Sequence, residues 1–135
     1  MRQVSRTVRK LIFISCLALL AACSPDVPEW TAPAQQWRDL SIRIETRPTV
    51  LKPGMNEFLV IANKQQRSFS SDLMVDVCTE NSSWKQAMPD GALGVFRRAL
   101  PVKDVQRDHL YVRLVRQGEQ HEMMFDLAPK ASGTR

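Results

Sequence analysis

The sequence predicts an all-β protein: an immunoglobulin-like antiparallel β-sandwich of six to seven strands, placed after a signal peptide and a proline-rich tether. Three observations lead there. From Leu40 onward, apolar and polar residues alternate with period two in several short runs. Clusters of Pro, Gly, Asn, Asp and Ser punctuate those runs at intervals of roughly 12–20 residues. Between Leu40 and Leu127 there is no long stretch of helical periodicity. A string of short amphipathic strands buries its apolar faces as two packed antiparallel sheets. The Cys–Trp–Cys pattern of true immunoglobulin domains is missing, so the core must rest on aliphatic packing. A closed eight-stranded barrel would need more strands than the runs supply.

The first element is an address. Arg2, Arg6, Arg9 and Lys10 form a positive region ahead of the apolar run Leu11 to Leu20. That run is too short for a spanning helix, which needs about 20 residues, and fits a secretory signal. It ends in Leu20-Ala21-Ala22-Cys23, which resembles the bacterial lipobox. Small residues at 21 and 22 suit a peptidase cleft, and the Cys23 thiol would accept a diacylglycerol and become the new N-terminus. Residues 1–22 are thus expected to leave, and 23–38 to form a lipidated tether rich in Pro25, Pro28 and Pro33. A sandwich over 39–128 and a polar tail over 129–135 follow. Trp37, just ahead of the first strand, is expected to pack on the domain. Ser24 rather than Asp after the lipidated cysteine resembles the outer-membrane form of Gram-negative sorting, so the anchor points to the outer rather than the inner membrane, on the periplasmic side.

The strands follow in order. Leu40 to Glu45 alternates cleanly, with Ile42 and Ile44 inward. Thr46 to Gly54 is turn chemistry. Asn56 to Asn63 is apolar on both faces in its middle, the mark of a central strand. Ser71 to Cys78 puts Leu73, Val75 and Val77 on one face and Met74, Asp76 and Cys78 on the other. Thr79 to Gly94 is irregular, and within it Trp84 to Met88 fits either a short strand or one helical turn. Leu93 to Leu100 returns to strand, with Phe96 and Leu100 on one face. His109 to Arg116 turns Leu110, Val112 and Leu114 inward. Gln117-Gly118-Glu119 makes a hairpin connection to His121–Leu127, where Met123, Phe125 and Leu127 face in.

Composition bounds the chemistry. The chain of 135 residues carries a formal charge of +5, with 44% hydrophobic and 24% charged residues. Removing residues 1–22 takes away four positive charges, which leaves 15 basic against 14 acidic residues. The basicity belongs to the signal segment, so no nucleic-acid partner is expected of the folded part. One thiol besides Cys23 would remain, Cys78, which excludes an internal disulfide framework. No nucleophile elbow, phosphate loop, paired-cysteine motif or His-Glu-x-x-His helix is present, and the protein reads as a non-catalytic one. The row Arg97, Arg98, Lys103, Arg107, Arg113 and Arg116 is interspersed with acids and reads as a solvated mixed-charge face.

Two functional expectations remain. The stretch Trp84 to Arg98 joins an aromatic residue, a methionine and two arginines in a long connection, the residue types enriched at interfaces. Trp84, Met88, Arg97 and Arg98 are the expected contact set for a protein partner in the cell envelope, with no cofactor. The alternative is a copper-binding or copper-delivery protein, because imidazole, thioether and thiolate suit copper. His121 and Met123 share one strand face, and Cys78 would be the third ligand.

The segment Leu51-Lys52-Pro53-Gly54-Met55-Asn56-Glu57-Phe58-Leu59-Val60 resembles the opening turn and strand of YtkA-like and FixH-like extracytoplasmic domains. Met88-Pro89 and the closing hairpin from Leu110 to Phe125 stand in a similar order. The resemblance spans about residues 40–127. It implies a sandwich fold and an accessory role in assembly of, or metal supply to, membrane oxidases. A lipid would here replace the family's usual transmembrane helix, and Asp108-His109-Leu110-Tyr111 stands where the group carries a glycine-arginine-tyrosine pattern.

Overall fold

The computed structural model describes residues 30, 32–64 and 72–128. Cys23, the signal segment, most of the expected tether and the tail over 129–135 lie outside the described residues.

Nine strands are described: β1 (Gln35–Trp37), β2 (Leu40–Arg47), β3 (Gly54–Lys64), β4 (Met74–Thr79), β5 (Lys85–Gln86), β6 (Met88–Pro89), β7 (Val95–Val102), β8 (His109–Arg116) and β9 (Glu119–Asp126). They form two antiparallel sheets, β1-β2-β3-β7-β6 and β5-β4-β8-β9. The protein is a β-sandwich. The inner faces supply its core, with Ile42, Phe58, Val60, Leu100, Val77, Leu110, Val112, Leu114 and Phe125 almost fully covered. Each such side chain stabilises the fold by about 1.5–3 kcal/mol relative to exposure.

The alternation read from the sequence sets these faces. β2 buries Leu40, Ile42, Ile44 and Thr46 in turn. β3 is central, between β2 and β7, which explains its apolar middle: Phe58 and Val60 face the core, and Leu59 and Ile61 are buried on the outer side. In register, Leu59 stands between Glu45 and Arg97, and Ile61 between Arg43 and Val95. The β8–β9 connection is a two-residue turn with Arg116 opposite Glu119. Gln117 and Gly118 both take positive φ, 52° and 79°, the pairing that matches strand twist in a tight hairpin.

One expectation is corrected, and one is decided between its two alternatives. Gln35–Trp37 belongs to the sheet and not to the tether, pairing with β2 from Gln35↔Ile42 to Trp37↔Leu40. Trp30 also reaches the core and is buried. Of the two alternatives for Trp84 to Met88, the strand is the one found, as two short strands on either side of a crossing between sheets. β5 pairs with β4 and β6 with β7, and between them Ala87 is buried with its N–H donating to the Val75 carbonyl at 2.8 Å.

One end of the sandwich gathers the β2–β3, β4–β5 and β7–β8 connections. Asn56 is buried; its amide donates to the Lys52 and Gly54 carbonyls at 2.7 and 3.1 Å, and its Oδ1 accepts from the Lys52 N–H. The side chain thereby holds the Lys52–Gly54 turn shut, with Gly54 at φ 109°. The Thr79 hydroxyl donates to the Pro101 carbonyl at 2.7 Å and joins the sheets. Asp108 is buried; its Oδ2 accepts from Asn81 Nδ2 at 2.7 Å, the Lys103 N–H at 2.7 Å and the Asp104 N–H at 3.2 Å. At the opposite end, ion pairs join the turns: Arg38 with Glu119, Arg116 with Asp39 and Asp72, and Lys64 with Asp39.

Candidate functional site

The strand crossing at Ala87 divides the expected contact set. Met88 stands opposite Arg97 in the five-stranded sheet, on its outer face. Trp84 precedes β5 and belongs with the four-stranded sheet. There the Arg113 guanidinium lies 3.9 Å from the Trp84 ring centre, a cation–π contact, and Arg113 Nε is 3.0 Å from Glu122 Oε1. Trp84 is half-buried on this stack, so it is not part of one surface with Met88 and Arg97.

The remaining three residues do come together. Met55, Glu57, Met88, Arg97, Arg98 and Ala99 line a shallow, open hollow of about 520 Å³ on the five-stranded sheet. β7 is paired to β6 only through Phe96 and Arg97, so the hollow lies where that short neighbour ends. Met55 and Met88 are 59% and 55% exposed and share this one hollow. Arg97 is shared between Glu57 and Asp90 at 3.8 and 3.5 Å. Arg98 takes the core-facing parity of β7, opposite Phe58. It is half-buried and meets no carboxylate among the described residues. Every other described arginine has one. Sequence inspection missed Met55 and Glu57 because they approach Met88 only through the β3–β7–β6 pairing.

The basic row separates in the same way. Arg107 pairs with Asp104, Arg113 with Glu122, and Arg116 with Asp39 and Asp72. These pairs sit on different faces and ends of the molecule.

The proposed metal ligands do not converge. Met123 is buried in the core, and His121 shares its parity on β9. The His121 ring stacks on Trp37, with centroids 5.6 Å apart and planes at 5°. Cys78 lies opposite Tyr111 on β4 and shares parity with Asp76, on the outer face of the same sheet. The sheet itself stands between Cys78 and the other two. Cys78 is buried, and that burial pushes its thiol above its ordinary value. No group of three or more His, Cys, Asp or Glu among the described residues could hold a metal ion.

Beside Cys78, Glu80 ties the β4–β5 turn to β8. Its Oε2 accepts the His109 N–H at 2.7 Å. Its Oε1 accepts the Tyr111 hydroxyl at 3.0 Å and lies 2.8 Å from His109 Nδ1. Partial burial works to raise the Glu80 carboxyl, but these hydrogen bonds outweigh it and hold the group below its ordinary value. The same contact pushes the Tyr111 phenol up.

No protein-family model matches the chain, and neither a curated protein nor a solved structure gives a significant match.

Proposed function

We propose that this chain is a lipid-anchored, non-catalytic binding module on the periplasmic side of the bacterial envelope. In this reading Cys23 carries the lipid, with the outer membrane as its seat. The hollow lined by Met55, Met88, Arg97 and Arg98 holds a protein component of an envelope or respiratory complex. The observation that supports it best is a pair of exposed methionines sharing one hollow with Arg97 and Arg98. A partner offering a carboxylate and apolar side chains would satisfy both at once. Met adapts to partner shape at low cost, and arginine holds a carboxylate through two parallel hydrogen bonds. A stable contact needs about 800 Å² from each side, so the hollow would be the centre of a larger patch on the outer face of β3, β7 and β6. Trp84 is left out of the contact set, since it stacks on Arg113 in the other sheet.

The test is site-specific photo-crosslinking of the full chain in its native envelope, with p-benzoylphenylalanine replacing Met88 or, on the opposite sheet, Met74. The expected result is a discrete protein adduct from position 88 that Arg98→Glu removes, and none from position 74. Identical adducts from both positions, or adducts from 88 that ignore Arg98→Glu, would reject the assignment.

A further inference from the structure

The two ends of the sandwich differ in what they could meet, and the chain's exit from the domain chooses between them. Trp30 is buried in the core, and its backbone N–H donates to the Thr49 carbonyl at 3.2 Å. Thr49 belongs to the β2–β3 connection, so Trp30 sits toward the end where Gly54 stands opposite Val102. Six residues lie between Cys23 and Trp30, seven Cα–Cα steps in all. Whatever their conformation, they span at most about 25 Å. β2, whose end Trp30 meets, has 8 residues and spans about 26 Å. If Cys23 is held at a bilayer, the β2–β3 end can rest on it. The far end lies about that β2 length from Trp30 and would need the tether almost fully extended, so the lipid favours the β2–β3 end.

The side chains at the near end suit that position. Val50 is 40% exposed in the β2–β3 connection. Lys52 beside it and Lys103 in the β7–β8 connection meet no carboxylate among the described residues. Unpaired lysines beside an exposed apolar residue fit an anionic headgroup layer. Ion pairs of Arg38, Lys64 and Arg116 hold the far end, and at the near end Arg107 pairs with Asp104 while the two lysines stay outside that pair.

We infer that the β2–β3 and β7–β8 connections, with Val50, Lys52 and Lys103, form the membrane-apposed end of the domain and rest on an anionic phospholipid surface. This stands on the lipid anchor proposed for Cys23. It sets the strands upright on the bilayer and leaves the Met55–Met88–Arg98 hollow on the flank, open to a protein beside it.

The experiment places p-benzoylphenylalanine at Val50, at Leu93 or at Met88 of the mature lipidated chain on vesicles of phosphatidylcholine and phosphatidylglycerol. Phospholipid adducts are counted by mass spectrometry after irradiation. Position 50 is expected to give at least about fivefold more adduct than position 93, which sits a strand length away. Equal yields, or more adduct from 88 or 93 than from 50, would overturn the orientation. The acyl mass on Cys23 and flotation with vesicles are measured first, so failure of the anchor is seen separately. A chain recovered without lipid is coupled through Cys23 to a maleimide-headgroup lipid, the Cys78 thiol being buried, and the same comparison then decides the orientation.

Discussion

Replacing Trp84 with alanine tests whether this residue serves the fold or a partner. The indole is half-buried and lies 3.9 Å from the Arg113 guanidinium. Losing half the burial of a large aromatic costs about 1 kcal/mol, and losing a partly desolvated cation–π contact costs about another 1 kcal/mol. Trp84→Ala should therefore lower stability by about 2 kcal/mol without unfolding the domain. Arg113→Ala removes the same stack and also the contact to Glu122, an exposed pair worth about 0.5 kcal/mol. The informative quantity is the coupling between the two substitutions, expected near 1 kcal/mol in a double-mutant cycle. Urea unfolding of the four proteins, followed by far-ultraviolet circular dichroism, supplies it, with the slope unchanged as the check that unfolding remains two-state. A coupling below about 0.3 kcal/mol would refute the stack as the role of Trp84. So would loss of the position-88 adduct in Trp84→Ala, since that would return the indole to the contact surface.

Three further outcomes follow from the loops. Asp108→Ala leaves three donors without their acceptor and should cost about 3 kcal/mol, about 15 °C in melting midpoint for a domain of this size; a shift under about 4 °C would mean that other groups replace the carboxylate. The Glu80 carboxyl is held below its ordinary value, so the folded state binds fewer protons than the unfolded one. Its contribution is complete above the unfolded pKa of about 4.3 and is lost as pH falls through the folded value. Melting midpoints of Glu80→Gln and the parent should therefore converge below about pH 4 and separate above it; a constant gap across that range would contradict the hydrogen-bond account. Gly118→Ala forces an L-residue into left-handed backbone and should cost about 1 kcal/mol, read from the same urea transitions; a neutral result would argue against the tight turn.

Much of the sandwich was legible because one of its faces is dry. Where a strand has one buried and one wet side, the alternation names the inward residues outright. Ile42 and Ile44, Val75 and Val77, Leu110, Val112 and Leu114 could be placed before any partner strand was known. β3 announced its central position by being apolar on both sides. β1 left no such trace. Gln35-Gln36-Trp37 is three residues long with two glutamines, and its identity as a strand comes from pairing with β2 and from contacts to the far sheet. Gln35 Nε2 donates to the Met124 carbonyl at 2.7 Å, and Trp37 stacks on His121. Contacts of that separation have no local signature. The same limit applies to the metal ligands. Alternation puts Cys78 with Asp76 and Met123 with Phe125, but only the β4–β8–β9 register reveals that these are opposite sides of one sheet.

The site was harder to read because a single small residue decides its layout. Trp84 and Met88 are four apart, close enough that one helical turn or one strand would have grouped them. Ala87 prevents both. Its methyl is small enough to sit between the sheets, and its N–H is taken by Val75, so the residues before it follow β4 and those after it follow β7. A larger side chain at 87 would press against the packed interior at the crossing. Met88 is therefore carried to the sheet whose outer face holds Met55 and Arg97, while Trp84 stays behind over Arg113. A protein that touched both would have to wrap the edge of the sandwich. One that touches Met88 alone needs only the flank formed by β3, β7 and β6.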